Sequence, residues 1–210
     1  MSASRTGWGS SLLLGLCIAA SGCVSAPDPQ TPHEYLDPAT AATIDVVGKP
    51  LVFAREHPER AVHMRDYVTV AAAMVDRSGK TDLVLVAYFW TTLDAHGRET
   101  TADRATPLDA TGEHSSDAPL QVLADGRLLE LPLRAHSAAE AGIGVPVHAP
   151  HSRHTTPNVY TIDLPTLRFL ASARHIDLMA GASFEDRYRL WDDQRTSLAM
   201  FVTHLSGAPN

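Results

Sequence analysis

The sequence predicts a mainly β domain of the α+β class, an antiparallel β-sandwich or bent sheet with two short helices in its last third. Three observations carry this. Residues 66–75 and 82–93 are rich in β-branched and aromatic side chains and flank a turn containing Gly79, which reads as a hairpin. Residues 120–124 and 127–131 flank Asp125-Gly126, a pair suited to a two-residue turn with positive φ. Beyond residue 163 the apolar spacing lengthens from two to three and four, the period of a helix.

The elements follow in order. Residues 43–47 and 51–54 predict two strands around Gly48-Lys49-Pro50. The first hairpin comes next. Both of its arms are apolar on both faces, so both sides should be covered, with Val68, Val70, Leu83, Leu85, Phe89 and Trp90 in the core. Residues 94–117 are polar and predict a surface loop; residues 135–157, with prolines at 146, 150 and 157, predict another irregular stretch. Residues 159–162 read as a strand running into a helix that Asp163 caps and Pro165 starts. Residues 175–179 and 188–191 predict strands. Asp192 or Asp193 then caps a last helix whose Leu198, Phe201, Val202 and Leu205 share one face.

The N-terminus has a different texture. One basic residue, Arg5, precedes an apolar core of about nine residues, far short of the roughly 20 that span a bilayer but right for a removable export signal. That core ends in Ala20-Ser21-Gly22-Cys23. Small residues ahead of a cysteine resemble the cleavage site of bacterial lipoproteins, cut by their dedicated signal peptidase. Cys17 is the poorer candidate, because Leu16 stands where a small residue is wanted. The resemblance implies a signal peptide of residues 1–22, then a diacylglyceryl thioether and an amide-linked acyl chain (palmitate or similar) on Cys23. Val24 replaces the aspartate that tends to hold such proteins at the inner membrane, which implies the outer membrane, facing the periplasm. Several buried chains make a stable anchor where one is marginal.

Residues 24–34 hold three prolines and predict a flexible tether reaching roughly 35 Å. Residues 35–210 would form one globular domain. Arg5 is the one charged residue of the signal, so the mature chain carries 16 basic and 24 acidic residues, a formal charge of −8. That balance disfavours nucleic acid and anionic lipid surfaces, which both need Lys and Arg in excess. With Cys17 removed and Cys23 lipidated, the domain has no thiol for a disulfide, for redox exchange or for cysteine-bound zinc. The segments YLDPATAATI, PLVFARE and YFWTTLD make residues 35–94 similar to uncharacterised proteobacterial lipoproteins. The similarity brings no functional residues with it.

Chemistry-bearing clusters are few. His148, His151 and His154 stand three apart in a proline-containing loop, and three imidazoles could ligate zinc or copper. In extended chain they would lie about 10 Å apart, and Arg153 adds positive charge, so a solvated loop explains them better. His63, Arg65 and His175 read as exposed or hydrogen-bonded residues. The pairs Glu185-Asp186 and Asp192-Asp193 read as surface charge and a helix cap. The G-x-S-x-G, G-x-x-x-x-G-K-[ST] and S-x-x-K motifs are all absent. The expectation is therefore a non-catalytic binding or assembly module of the envelope, partnered by the membrane and by another envelope protein. No cofactor beyond the covalent lipid is expected. Metal-dependent chemistry at residues 148–154, or binding of a small hydrophobic ligand or lipid in the sheet's concave face, are the alternatives.

Overall fold

A computed structural model describes residues 28–56, 65–92, 118–150, 155, 157–179 and 187–207. Among the described residues eleven strands and two helices occur in the order β1 (His33–Leu36), β2 (Thr43–Val46), β3 (Leu51–Glu56), β4 (Arg65–Arg77), β5 (Lys80–Thr91), β6 (Leu120–Ala124), β7 (Arg127–Leu131), β8 (Leu133–Ala135), β9 (Pro157–Thr161), α1 (Leu164–Ser172), β10 (Ile176–Met179), β11 (Arg187–Asp192) and α2 (Arg195–Gly207). All strands belong to one antiparallel sheet, bent until it is nearly closed. Its main path runs β7-β6-β10-β11-β3-β4-β5-β9-β8. The two ends of that path, β7 and β8, are consecutive in the chain and separated by Pro132 alone. Proline has no N–H to continue a ladder, so the chain leaves one edge there and joins the other. The Pro132 carbonyl accepts the Thr161 N–H at 3.0 Å, tying the corner to β9.

Both predicted hairpins form. The β4–β5 turn places Ser78 and Gly79 at φ 56° and 81°, and the β6–β7 turn places Asp125 and Gly126 at 46° and 82°. Positive φ at both central residues matches the right-handed twist of the flanking strands. Asp76 Oδ1 accepts the Gly79 N–H at 2.9 Å, and Asp125 accepts the N–H groups of Arg174 and His175 ahead of β10.

The long strand β4 organises the rest. Its first half pairs with β3 and its second with β2, so residues 43–56 act as one partner interrupted at Val47–Pro50. Residues opposite one another share a face. On the concave face Val68, Val70, Ala72, Leu85 and Phe53 meet Leu167 and Leu170 of α1 and Leu198 of α2. On the convex face Val75 lies beside Ile44, Ala73 beside Val46 and Val84, and Ala71 beside Val86. All of these are buried, because the irregular segment 136–150 lies over them and buries its own Ile143 and Val147. Two cores on either side of one hairpin explain why the alternation of polar and apolar residues disappears there.

The helices start as the sequence indicates. Asp163 Oδ1 accepts the Thr166 N–H at 2.7 Å, and Pro165 sits in the first turn of α1. Asp193 accepts the N–H of Arg195, the first residue of α2, at 3.1 Å. Of the six core residues expected, Val68, Val70 and Leu85 are fully buried, whereas Leu83, Phe89 and Trp90 are half-buried. The register of Trp90 opposite Tyr67 puts it on the convex face, whereas Phe89, opposite Val68, is on the concave one.

The segment just before β1 is seated on the domain. Ser197 Oγ, fully buried on α2, accepts the Lys49 N–H and donates to the Gln30 carbonyl, both at 2.9 Å. Gln30 Nε2 donates to Gln194 Oε1 at 2.9 Å. A Cβ on residue 48 would lie 2.4 Å from the Gln30 backbone, so only glycine allows this approach. Of residues 28–34, expected to belong to the tether, Gln30 is thus held between the β2–β3 corner and the start of α2, and His33 and Glu34 already belong to β1.

Candidate functional site

The convex face of β5, β4, β3 and β11 carries a row of residues in direct register: Trp90, Tyr67, Ala54 and Arg189. The small Ala54 leaves a shallow step between Tyr67 and β11. Trp191 fills the far side of that step. It is the extra residue of a β-bulge, between Leu190 opposite Phe53 and Asp192 opposite Val52. Bulges re-aim side chains, and this one turns an indole toward the row.

The rings form a connected platform. Tyr67 stacks on Trp90 with centroids 4.3 Å apart and planes at 14°, and meets Trp191 edge-on at 6.4 Å and 80°. The Arg65 guanidinium lies 4.6 Å over the Trp191 ring, a cation–π distance. Glu56 holds that guanidinium through Nε at 3.0 Å and Nη2 at 2.6 Å. Tyr67 foremost, and Glu56 with it, push the Arg65 pKa up, so its charge is fixed. Trp90 Nε1 donates to Thr69 Oγ1 at 3.0 Å. Among the described residues Trp191, 57% exposed, is the one large aromatic side chain left mostly in solvent. The solvent-facing indole of Trp191, held between a tyrosine and an arginine, is the candidate contact surface of the described residues.

The concave side offers a ligand much less. Packing of α1 and α2 against the sheet leaves an apolar cavity of about 20 Å³ between Leu51, Phe53, Val70, Leu85, Leu167 and Leu198, room for about one water molecule.

The sequence-predicted residues are placed as follows. Ala20, Ser21, Gly22 and Cys23 lie outside the described residues, as do His63, His151, His154, Glu185 and Asp186 and the segment 94–117. His148 is described and is not free to ligate through both nitrogens. Its Nε2 lies 2.6 Å from the Val47 carbonyl, which only accepts, so Nε2 carries the proton. Its φ is 49°, and its ring stands 6.1 Å from that of His33 at 84°. Among the described residues no three His, Cys, Asp or Glu side chains converge on a metal position. No helix among them is long and apolar enough to cross a membrane.

Burial, with the nearby His33 adding to it, pushes the His148 pKa below its ordinary value, against the opposing pull of the Val47 hydrogen bond. The unfolded chain therefore binds the proton first. Stability is intact above about pH 6.5 and falls as the pH drops through the lower folded value. Urea midpoints at pH 7.5, 6.5 and 5.5 should decline in the wild type, and His148→Asn should flatten that decline. An equal slope in both proteins would remove His148 from the account.

The row geometry could not be read from the sequence. Tyr67 and Trp90 are 23 residues apart and meet only through the β4–β5 register. The bulge that delivers Trp191 is a property of two paired strands. No family model matches the chain, and no curated protein or solved structure matches it either.

Proposed function

We propose that this chain is a lipid-anchored protein of the cell envelope, held at the outer membrane by Cys23 and facing the periplasm, where it acts as a non-catalytic binding or assembly module. The observation that carries the reading is the apolar run ending in Ala20-Ser21-Gly22-Cys23. One structural feature supports the binding role: among the described residues the convex face presents an aromatic–arginine platform with a solvent-facing indole. Another envelope protein is the partner class that such a module serves.

Cys23→Ser tests the reading. In a Gram-negative host the variant should remain uncleaved, migrating above the wild type by the mass of 22 residues, and should leave the outer-membrane fraction. Unchanged processing and unchanged partition would refute the anchor.

A further inference from the structure

Segment 136–150, which covers the convex core, has two unlike halves. In the first, the N–H groups of Ala141, Gly142 and Ile143 bond to the carbonyls of Ser137, Ala139 and Ala138 at 3.3, 3.0 and 2.8 Å. Asp37 then accepts the Gly144 N–H. The second half, residues 145–150, has prolines at 146 and 150 that carry no N–H, and among the described residues no backbone–backbone hydrogen bond reaches it. Buried Val147 holds it, with the Tyr35 hydroxyl donating to the Val145 carbonyl at 3.5 Å and with His148. A stretch so lightly bonded opens more easily than the strands beneath it. His148 is also held in the left-handed region, at φ 49°, which a residue other than glycine keeps only where its surroundings impose it.

Among the described residues the histidines that meet a carboxylate are His175, beside Asp125, and His204, beside Asp45. His33 and His148 meet each other instead, one on the edge strand β1 and the other on the cover. With Nε2 already donating to Val47, a second proton on His148 goes to Nδ1. Once His33 is charged as well, like charges stand on either side of the contact. We propose that residues 145–150 are a histidine-operated latch, fastened to β1 and Val47 while both rings are neutral and released when both take up protons, with Gly144 on Asp37 as the hinge. Burial foremost, and His33 with it, lower the His148 pKa against the pull of the Val47 bond. The released form therefore takes the proton first, and release grows as the pH falls below about 6.5. The other titratable and charged groups that described elements bring to this segment are Tyr35 and Asp37 from β1, Tyr88 from β5, and Arg77 from β4 beneath Gly142. Burial foremost raises both tyrosines, Tyr88 to about 12, so they stay neutral. Burial also raises Asp37, but the Gly144 and Ala39 N–H groups and the Thr40 hydroxyl outweigh it, so the hinge keeps its charge while the imidazoles titrate.

The inference does not depend on the fate of Cys23. The test uses the full-length chain with one added thiol, as Val147→Cys on the latch, Ile143→Cys on the bonded half, or Leu128→Cys as an exposed reference. Each is labelled with a maleimide at pH 7.5 and 5.5, and mass spectrometry of peptides reads the site. Dividing by the Leu128→Cys rate at each pH removes the reactivity of the thiol itself. The relative rate of Val147→Cys should rise roughly three- to tenfold at pH 5.5. Ile143→Cys should stay roughly tenfold or more slower than Val147→Cys, since the hinge holds. Adding His33→Glu, at an exposed position, sets a carboxylate against the protonated ring and should cut the rise below about twofold. A relative rate for Val147→Cys that ignores pH, or that already matches the exposed reference at pH 7.5, overturns the latch. So does an undiminished rise with His33→Glu, or Ile143→Cys labelling as fast as Val147→Cys.

Discussion

Phe201→Ala should lower the stability of the domain by about 3–5 kcal/mol, the range for truncating a buried phenylalanine. Phe201 is fully buried on the face of α2 that also presents Leu198 and Val202 to the sheet. A benzyl group removed there loses its transfer free energy and leaves a void that a nearly closed sheet cannot collapse to fill. At this size each kcal/mol moves Tm by roughly 2–4 °C, so a drop of about 6–20 °C is expected in thermal melts followed by circular dichroism. The consequence extends beyond the core. The helix that Phe201 fixes also carries Ser197, and with Gln194 just before it, holds the Gln30 seat. The variant should therefore expose the N-terminal segment to protease even below its Tm. A loss under about 1 kcal/mol would show that α2 is not locked against the sheet.

Asp37→Ala is the second large effect, and it has a pH signature. Asp37 is wholly buried in the turn between β1 and β2, where Oδ1 accepts the Ala39 N–H and Oδ2 accepts the Thr40 hydroxyl, each at 2.9 Å. Oδ2 also accepts the Gly144 N–H from segment 136–150. One carboxylate thus clamps the edge turn to the segment that covers the convex core. Gly144 is required for the approach, since a Cβ there would lie 2.5 Å from the Ala39 Cβ and 2.9 Å from either Asp37 oxygen. Burial raises the Asp37 pKa, but the N–H groups of Gly144 and Ala39 and the Thr40 hydroxyl outweigh it and hold the carboxyl below the usual range.

The folded value lies below the unfolded one, so the stabilisation is complete above about pH 4 and is lost as the pH falls through the folded value. Removing the side chain leaves three donors without their acceptor, which is costly in a buried turn. Asp37→Asn keeps the size but aims an N–H₂ at the Gly144 N–H, so it should recover only part of the loss. The gap in urea midpoint between wild type and Asp37→Ala should be wide at pH 7 and narrow below pH 4. A gap independent of pH would mean that the charge on Asp37 contributes nothing.

How much of this was legible depended on how local each feature is. The Asp125-Gly126 turn, the Asp163 cap and the apolar face of α2 are set within about ten residues of chain, and all three stand where the sequence put them. The coverage of both faces of β4 and β5 was also readable, since unbroken apolar runs permit little else. What the chain hid was non-local. β1 is a short edge strand, His33-Glu34-Tyr35-Leu36, with no apolar alternation, and it forms only because β2 offers it a partner. β8 is three residues long and follows from the corner at Pro132. The seat of Gln30 depends on a glycine, a serine and a glutamine drawn from two distant segments. The aromatic platform required knowing that Tyr67 faces Trp90, and that a bulge turns Trp191 toward both. Phe89 and Trp90, adjacent in sequence, went to opposite faces of one strand.

The proposed anchoring of this protein depends on what becomes of Cys23. Mass spectrometry of the mature protein, purified from the outer membrane of a Gram-negative host, reads this directly. The N-terminal peptide should begin at Cys23 and carry the added mass of a diacylglyceryl group with an amide-linked acyl chain. A mature protein that begins at any other residue, or a Cys23 with an unmodified thiol, would contradict it.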